Sequence, residues 1–495
     1  MFGYANVLLG VVSLSFRETF MRLSPLLTDL YELTMLAGYF KEGMTDKPAV
    51  FDLYFRHNPF AGGYAVFAGL EPALEALEDL QFIAEEIEYL RSLDLFSAAF
   101  FSYLRDFRFQ GQVKAPPEGT VVFANEPLLT VSGNLAEVQL VETLLLNIIN
   151  FQTLVATKAA RICHAAAGAE VVEFGLRRAQ GPNGGLSASR AACVGGVKGT
   201  SNVLAGMAYG LSVRGTHAHS WVQAFNDELT AFRAYAAAFP NSTILLVDTY
   251  NTLKSGVPNA ITVARELHEQ GHDLLGIRLD SGDLAYLSRE ARRMLDEAGF
   301  PEVRIFASNE LDEHVIDSIR DENGRVDMYG VGTNLSTAAG PGGVALGGVY
   351  KLVDMDGRPR MKITSDIAKA TLPGSKRVLR ALDAHGGFIQ DVVCLEEDNI
   401  APGTTVYDPT NPLHHTTLPE NIRLVDLRRT VMEKGQRTLA SEPLDRMAER
   451  CRRELALLPA GCRRFINPHR YKVSISPQLK ELRCSIIQAT TQRRT

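Results

Sequence analysis

Between Glu170 and Val331 six apolar runs of strand length alternate with stretches of helical spacing. The runs are AEVVEF, LSVRG, TILLVD, LLGIRL, VRIFAS and VDMYGV, and the helical stretches fall at about 187–209, 220–239, 258–270, 284–298 and 311–320. Such alternation requires parallel strands joined by right-handed crossovers. Six in succession favour a closed or partly closed (β/α) barrel over a hairpin-based fold, with a doubly wound open sheet as the alternative.

The flanks have a different character. Residues 1–20 read as an extension upstream of a core that starts near Met21, with a weak signal peptide or organellar presequence as the alternative; the apolar stretch from Val7 to Leu14 is too short to span a bilayer. Over 21–135 the helix-like LLTDLYELTMLAGYF, the strand-like AVFDLYFRH, the turn NPFAGG and the acidic amphipathic stretch from Glu71 to Leu95 predict an α+β layer. A long apolar helix is expected across 136–167, opening a barrel segment that runs to 345. From 346 to 495 strand and hairpin signals return, VALGGVYKLV and RPRMKITSD about the turn DMDGRP. This tail is expected to fold back on the N-terminal layer as one discontinuous domain, with ATTQRRT as a frayed end.

With 51 Lys and Arg against 57 Asp and Glu, the formal charge of -6 argues against a nucleic-acid-coating surface, so any phosphate must be held locally. The six cysteines are scattered without metal-ligand spacing, which suits a reducing compartment; the cytoplasm and no membrane association are the expectation.

Polar, Gly-rich clusters follow each expected strand, on the rim where barrels build their sites: FGLRRAQGPNGG, GTHAHS, DTYNT, DSGD, SNE and GVGTNLST. Gly332 and Thr333, with Ser336 and Thr337, form a loop whose N–H groups and hydroxyls suit a phosphate, although glycines at strand ends are also plain turn formers. Arg278, Asp280, Ser281 and Asp283 suit a ribose diol, a pyrophosphate and Mg²⁺; Asp and Ser at this junction would equally cap the next helix. Arg177 and Arg178 either meet an anion or make a surface salt bridge, and Asp248 with Thr249 is either functional or a polar loop. His217 and His219, two apart on an expected extended backbone, should point the same way. Zinc is disfavoured for want of a third nearby ligand; a neutral imidazole is also a competent phosphoryl acceptor.

In order, LLTDLYELTMLAGYF, FRHNPFAGGYAVFAGL, EFGLRRAQGPNGG, RGTHAHSW, VDTYNT, RLDSGD, ASNELDE and YGVGTNLST resemble the nicotinate phosphoribosyltransferase family, from about Leu26 to NPHRYKVSIS. The resemblance implies an irregular barrel of the type II phosphoribosyltransferase kind packed on the discontinuous α+β domain, working as a homodimer in NAD synthesis from nicotinate. Its implied substrates are nicotinate, phosphoribosyl pyrophosphate and ATP, with Mg²⁺ (or Mn²⁺). It further implies that Tyr31 stacks on nicotinate, that Thr216 and Arg278 contact it, that Thr333 holds the sugar phosphate substrate, and that His219 is phosphorylated by ATP. His217 stands at a variable position of that motif, and residues 1–20 have no counterpart. A nicotinamide-specific relative and a non-catalytic sensor of the same ligands are the alternatives.

In that reading Arg177, Arg278 and the metal neutralise departing pyrophosphate, while Asp280 orients the ribose or the metal.

Overall fold

A computed structural model describes residues 22–342, 344–363, 371–411 and 413–492. The expectations for 1–20, and for 364–366 at the end of RPRMKITSD, fall outside these residues. Two compact units emerge: one formed by the chain up to Leu154 with the segment from Pro341 onward, the other by Val155–Gly340.

In the first unit, strands from both ends of the chain interleave in one seven-stranded antiparallel sheet. Pro48–Tyr54 pairs on one side with Leu129–Asn134 and on the other with Val349–Met355, while Gln112–Ala115 pairs with Arg429–Glu433. Phe51 stacks on Tyr350 across the ladder at 4.9 Å, joining N-terminal and C-terminal segments in the core. The expected turn is a two-residue hairpin in which Asp356 and Gly357 have φ of 58° and 69°, the left-handed geometry such turns need. The strand after it spans only Arg358–Pro359. The C-terminal helix Pro477–Gln492 continues through most of the end expected to fray.

The boundary expected at 135/136 falls instead inside the helix Glu142–Ala166. Its first half carries Leu144, Leu145, Ile148 and Ile149 into the first unit's core. In its second half small residues, among them Ala156 and Ala159, let Gly195 approach so closely that an added Cβ would lie 2.5 Å from the Ala159 methyl.

The second unit holds six parallel strands: β1 (Glu170–Glu173), β2 (Gly199–Thr200), β3 (Ile244–Leu246), β4 (Gly276–Leu279), β5 (Arg304–Ser308) and β6 (Met328–Val331). Their order is β2-β1-β6-β5-β4-β3, so β6 returns to pair with β1 and each other neighbour is consecutive in sequence. This is barrel order with one seam, between β2 and β3. LSVRG, expected as a full strand, crosses that seam as a rudiment: Val213 makes one parallel bridge to Thr200, and Arg214 donates its N–H to the Thr200 carbonyl at 2.9 Å. Val213 is half exposed, so no buried face holds the segment in a longer ladder. The true second strand, Gly199–Thr200, has no large apolar side chain, and hydrophobic patterning passes over it.

The helices are α1 (Gly181–Val194), α2 (Val203–Tyr209), α3 (His219–Gln223), α4 (Glu228–Ala238), α5 (Val257–Glu269), α6 (Leu284–Glu297), α7 (Glu313–Asp321) and the short α8 (Thr333–Ser336). The helix expected over 187–209 is two, because β2 lies between α1 and α2. That expected over 220–239 is also two, broken before the Asp227 cap, whose side chain accepts from the Thr230 N–H.

Candidate active site

Arg278 points from β4 into a set of oxygens supplied by three neighbouring segments. Its Nε donates to Ser308 Oγ at the end of β5 (2.8 Å), Nη1 to Thr216 Oγ1 on the seam segment (2.9 Å) and Nη2 to Asp280 Oδ1 (2.8 Å). Its guanidinium carbon lies 5.5 Å from the centroid of the Phe174 ring, just past β1. Gly330 makes room for that ring, since a Cβ there would fall 2.6 Å from Phe174. A half-buried cation at a strand end is thereby satisfied and aimed in one direction. Burial alone would raise the Asp280 pKa. The Arg278 charge, hydrogen bonds from Ser308 and Arg278, and nearby His219 outweigh it, so the carboxyl stays below its usual range and is ionised at neutral pH.

His219 opens α3. Its Nδ1 is 3.1 Å from Thr249 Oγ1 and its Nε2 is 3.5 Å from Asp280 Oδ2, with the ring still partly open to solvent. His217 behaves differently: it is buried, and its Nε2 accepts the backbone N–H of Leu246 at 3.1 Å. That bond assigns the proton to Nδ1, which faces the Ala218 carbonyl at 3.3 Å. Burial holds the His217 pKa below its usual value, against the Ala218 contact and with help from Arg278 and His219. The two rings therefore do not share a direction. The chain is leaving extended geometry for α3 at this point, and the alternation expected of a strand is lost.

Asp248 ties two rim loops together, because its Oδ2 accepts both the Asp280 N–H and the Ser281 hydroxyl at 2.7 Å. Its Oδ1 is buried without a hydrogen-bond partner among the described residues. Asp283 has the capping role, accepting from the Tyr286 N–H at 2.9 Å.

Gly332 and Thr333 sit at the tip of β6, against the turn that follows β1. A Cβ on Gly175 would lie 2.7 Å from the Gly332 carbonyl oxygen, and Ser336 Oγ donates to the Gly175 carbonyl at 3.2 Å. Ser336, Thr337 and Asn334 are bound to backbone carbonyls, whereas the Thr333 hydroxyl has no partner among the described residues. Buried Glu173 locks the base of that turn by accepting from the Gly175 N–H, from Ser189 Oγ at 2.9 Å and from Thr200 Oγ1 at 2.6 Å. Arg177 and Arg178 are exposed there and have no ion-pair partner among the described residues.

Thr216, His219, Arg278, Asp280 and Ser281 thus form one network in the second unit, with Asp248, Thr249, Ser308 and Phe174 as its supports. Motif reading singled out no role for Ser308, Phe174 or Glu173; their signal was position at the end of a barrel strand. Beneath Thr216 and Phe174 a cavity of about 720 Å³ is lined further down by Ile244, Phe306 and Met328. Tyr31 belongs to the first unit, near the start of the helix Leu30–Lys41, and is half exposed. Burial, then Glu142 and Glu32, raise its pKa, so its phenol stays protonated.

A guanidinium, a carboxylate and an imidazole joined at the C-terminal rim of a parallel barrel define an enzyme of the α/β-barrel class. The nicotinate phosphoribosyltransferase (NAPRTase) N-terminal domain matches residues 26–150, the NAPRTase family 169–384 and the NAPRTase C-terminal domain 375–483. Nicotinate phosphoribosyltransferase of Bacillus subtilis is 42% identical, covering 91% of this chain and 92% of that one; the Homo sapiens protein is 37% identical over 92% and 96%. The crystal structure of human nicotinic acid phosphoribosyltransferase superposes with a TM-score of 0.82 at 34% identity, covering 92% of this chain and 99% of that one. Nicotinate-nucleotide pyrophosphorylase from Pyrococcus furiosus, 24% identical with a TM-score of 0.68, covers 87% and 94% and shares the fold. The chain belongs to the nicotinate phosphoribosyltransferase family, and its fold is the type II phosphoribosyltransferase fold. Among the described residues no helix is long and apolar enough to cross a membrane.

Proposed function

We propose that this chain transfers the phosphoribosyl group from phosphoribosyl pyrophosphate to nicotinate, giving nicotinate mononucleotide and pyrophosphate, with ATP coupled through transient phosphorylation of His219. The observation that carries the reading is the linked triad Arg278–Asp280–His219 on the barrel rim of a family member.

In the transfer step the pyridine nitrogen bonds to ribose C1 as the C1–O bond to pyrophosphate breaks, through an oxocarbenium-like state. Such a reaction needs alignment and charge stabilisation more than acid–base chemistry. Thr216 and Arg278 meet the nicotinate, Gly332 and Thr333 hold the sugar phosphate, and exposed Arg177 with Arg278 offsets the charge on pyrophosphate. Asp280 and Ser281 face the ribose.

Magnesium (or manganese) would supply charge neutralisation on the pyrophosphate. Asp248, with an unpartnered buried oxygen, and Asp280 are the ligands the chain offers. No group of three or more His, Cys, Asp or Glu suited to a metal occurs among the described residues, which fits a cation held largely by phosphate oxygens and water.

In the ATP step Thr249 holds Nδ1 of His219, leaving the Nε2 lone pair to take the γ-phosphoryl group as ADP departs; water later removes it as inorganic phosphate, restoring the imidazole. A phosphoryl group beside Asp280 changes the charge balance around Arg278, which is how the modification would alter affinity at the transfer site. A homodimer is the proposed working assembly.

The test measures pyrophosphate release with nicotinate and nicotinamide at equal concentration, and γ-phosphoryl label from ATP on wild type and His219→Ala. Preference for nicotinamide overturns the base assignment, binding without pyrophosphate release overturns the transferase reading, and label retained by His219→Ala overturns the phosphorylation site.

A further inference from the structure

The first unit contains a second set of cations around a separate cavity. Arg483, on the helix Pro477–Gln492, is buried, yet among the described residues its Nε has no hydrogen-bond partner and its Nη1 is bound only to the Pro409 carbonyl. Burial pulls its pKa below the usual guanidinium range, Cys484 alone acting the other way, and no carboxylate pairs with it among the described residues. A buried cation without a carboxylate is costly unless something anionic meets it.

Arg483 lines a cavity of about 40 Å³ shared with Tyr54, Asn125, Lys376 and Asp52. The Tyr54 hydroxyl is also buried there: the Arg56 guanidinium approaches its oxygen, while its own proton has no acceptor among the described residues. Among the described residues Asp52 is the only carboxylate in the lining, and it is already committed: Lys376 Nζ lies 2.8 Å from its Oδ2, and Thr130 donates to its Oδ1 at 2.5 Å. The buried guanidinium of Arg428 reinforces the positive charge, donating to Thr130 Oγ1 at 2.6 Å and to the Lys376 carbonyl. Among the described residues the lining therefore offers donors at Arg483 and Tyr54 and no unpaired carboxylate, and the charge of Arg483 is unmatched, whereas Asp354 joins Asp52 in offsetting that of Lys376. At roughly 10–15 Å³ per water its volume holds about three waters, the footprint of one tetrahedral oxyanion and too little for a nucleotide.

We infer that this cavity is an oxyanion site, taking a single phosphate-sized anion between Arg483 and Tyr54. None of its residues belongs to the proposed transfer network. The bound anion would neutralise Arg483 and tie the C-terminal helix to the strand Pro48–Tyr54 and the Pro409–Thr410 turn.

Two measurements test it. Crystals grown with selenate should show anomalous density within hydrogen-bonding distance of Arg483 and Tyr54. In solution, phosphate should raise the melting temperature of the full chain above that in chloride of equal ionic strength, and this increment should shrink in Arg483→Gln. Any phosphate bound at the transfer site contributes equally to both proteins and cancels. Tyr54→Phe, which removes only a hydroxyl, should raise the half-saturating phosphate concentration about fivefold, the worth of one net hydrogen bond, and serves if Arg483→Gln does not fold. No selenate in the cavity, or the same phosphate increment and half-saturation in both variants as in wild type, would overturn the site.

Discussion

His217 accepts the backbone N–H of Leu246 across the seam of the barrel, at 3.1 Å. β3 has no strand on its seam side, and this imidazole replaces the missing ladder bond while fixing the segment that carries Thr216 and His219.

His217→Phe leaves that N–H buried and unpaired, and should lower stability by about 1–3 kcal/mol. Because burial depresses the folded-state pKa, the unfolded chain binds the extra proton first. The histidine's contribution is therefore intact above about pH 6.5 and lost on acidification below it. Denaturant titrations from pH 8 to 5 should show a slope in wild type that is weaker in the variant; equal slopes would refute the assignment.

Arg278→Lys keeps the charge and loses the fork that reaches Thr216, Ser308 and Asp280 together. We expect kcat/KM for nicotinate to fall by about 10²–10³-fold, as when one preorganised donor is removed from a transition state. Circular dichroism should be unchanged.

Gly330→Ala drives a methyl group into the Phe174 ring beneath Arg278. Overpacking of this kind costs about 1–3 kcal/mol. The single variant should lose both stability and affinity for nicotinate, and adding Phe174→Leu should restore part of the stability. A single variant as stable as wild type would show that the ring moves freely.

Glu32 is fully buried, with Gln139 donating to it at 2.9 Å. Burial raises its pKa to about 7, Gln139 opposing and Glu142 assisting. A raised carboxyl pKa contributes stability at low pH that is lost as pH climbs from about 4.5 through 7. Glu32→Gln should therefore be more stable than wild type at pH 8, by up to about 3 kcal/mol, and the gap should close near pH 5. A gap independent of pH would contradict this.

Much of the second unit could be read from residues alone. TILLVD, LLGIRL, VRIFAS and VDMYGV form strands in the expected places because each is a short, largely buried apolar run. Gly199–Thr200 was illegible, since it is held by its neighbours' backbone and has almost no side chain to register. LSVRG misled in the opposite sense, having strand composition without a partner edge long enough to use it.

The sequence by itself determined which chemical groups stand at the strand ends, because βα alternation sends every post-strand loop to one rim. That is why Arg278 and Asp280 could be placed on that rim from the sequence, whereas His219 was singled out by the family resemblance. Only the tertiary structure decided their division of labour. Two histidines of identical chemistry, one residue apart from adjacency, separated into a buried seam clasp and an accessible base, because burial and hydrogen-bond partners come from Leu246, Thr249 and Asp280, distant residues that local spacing does not encode.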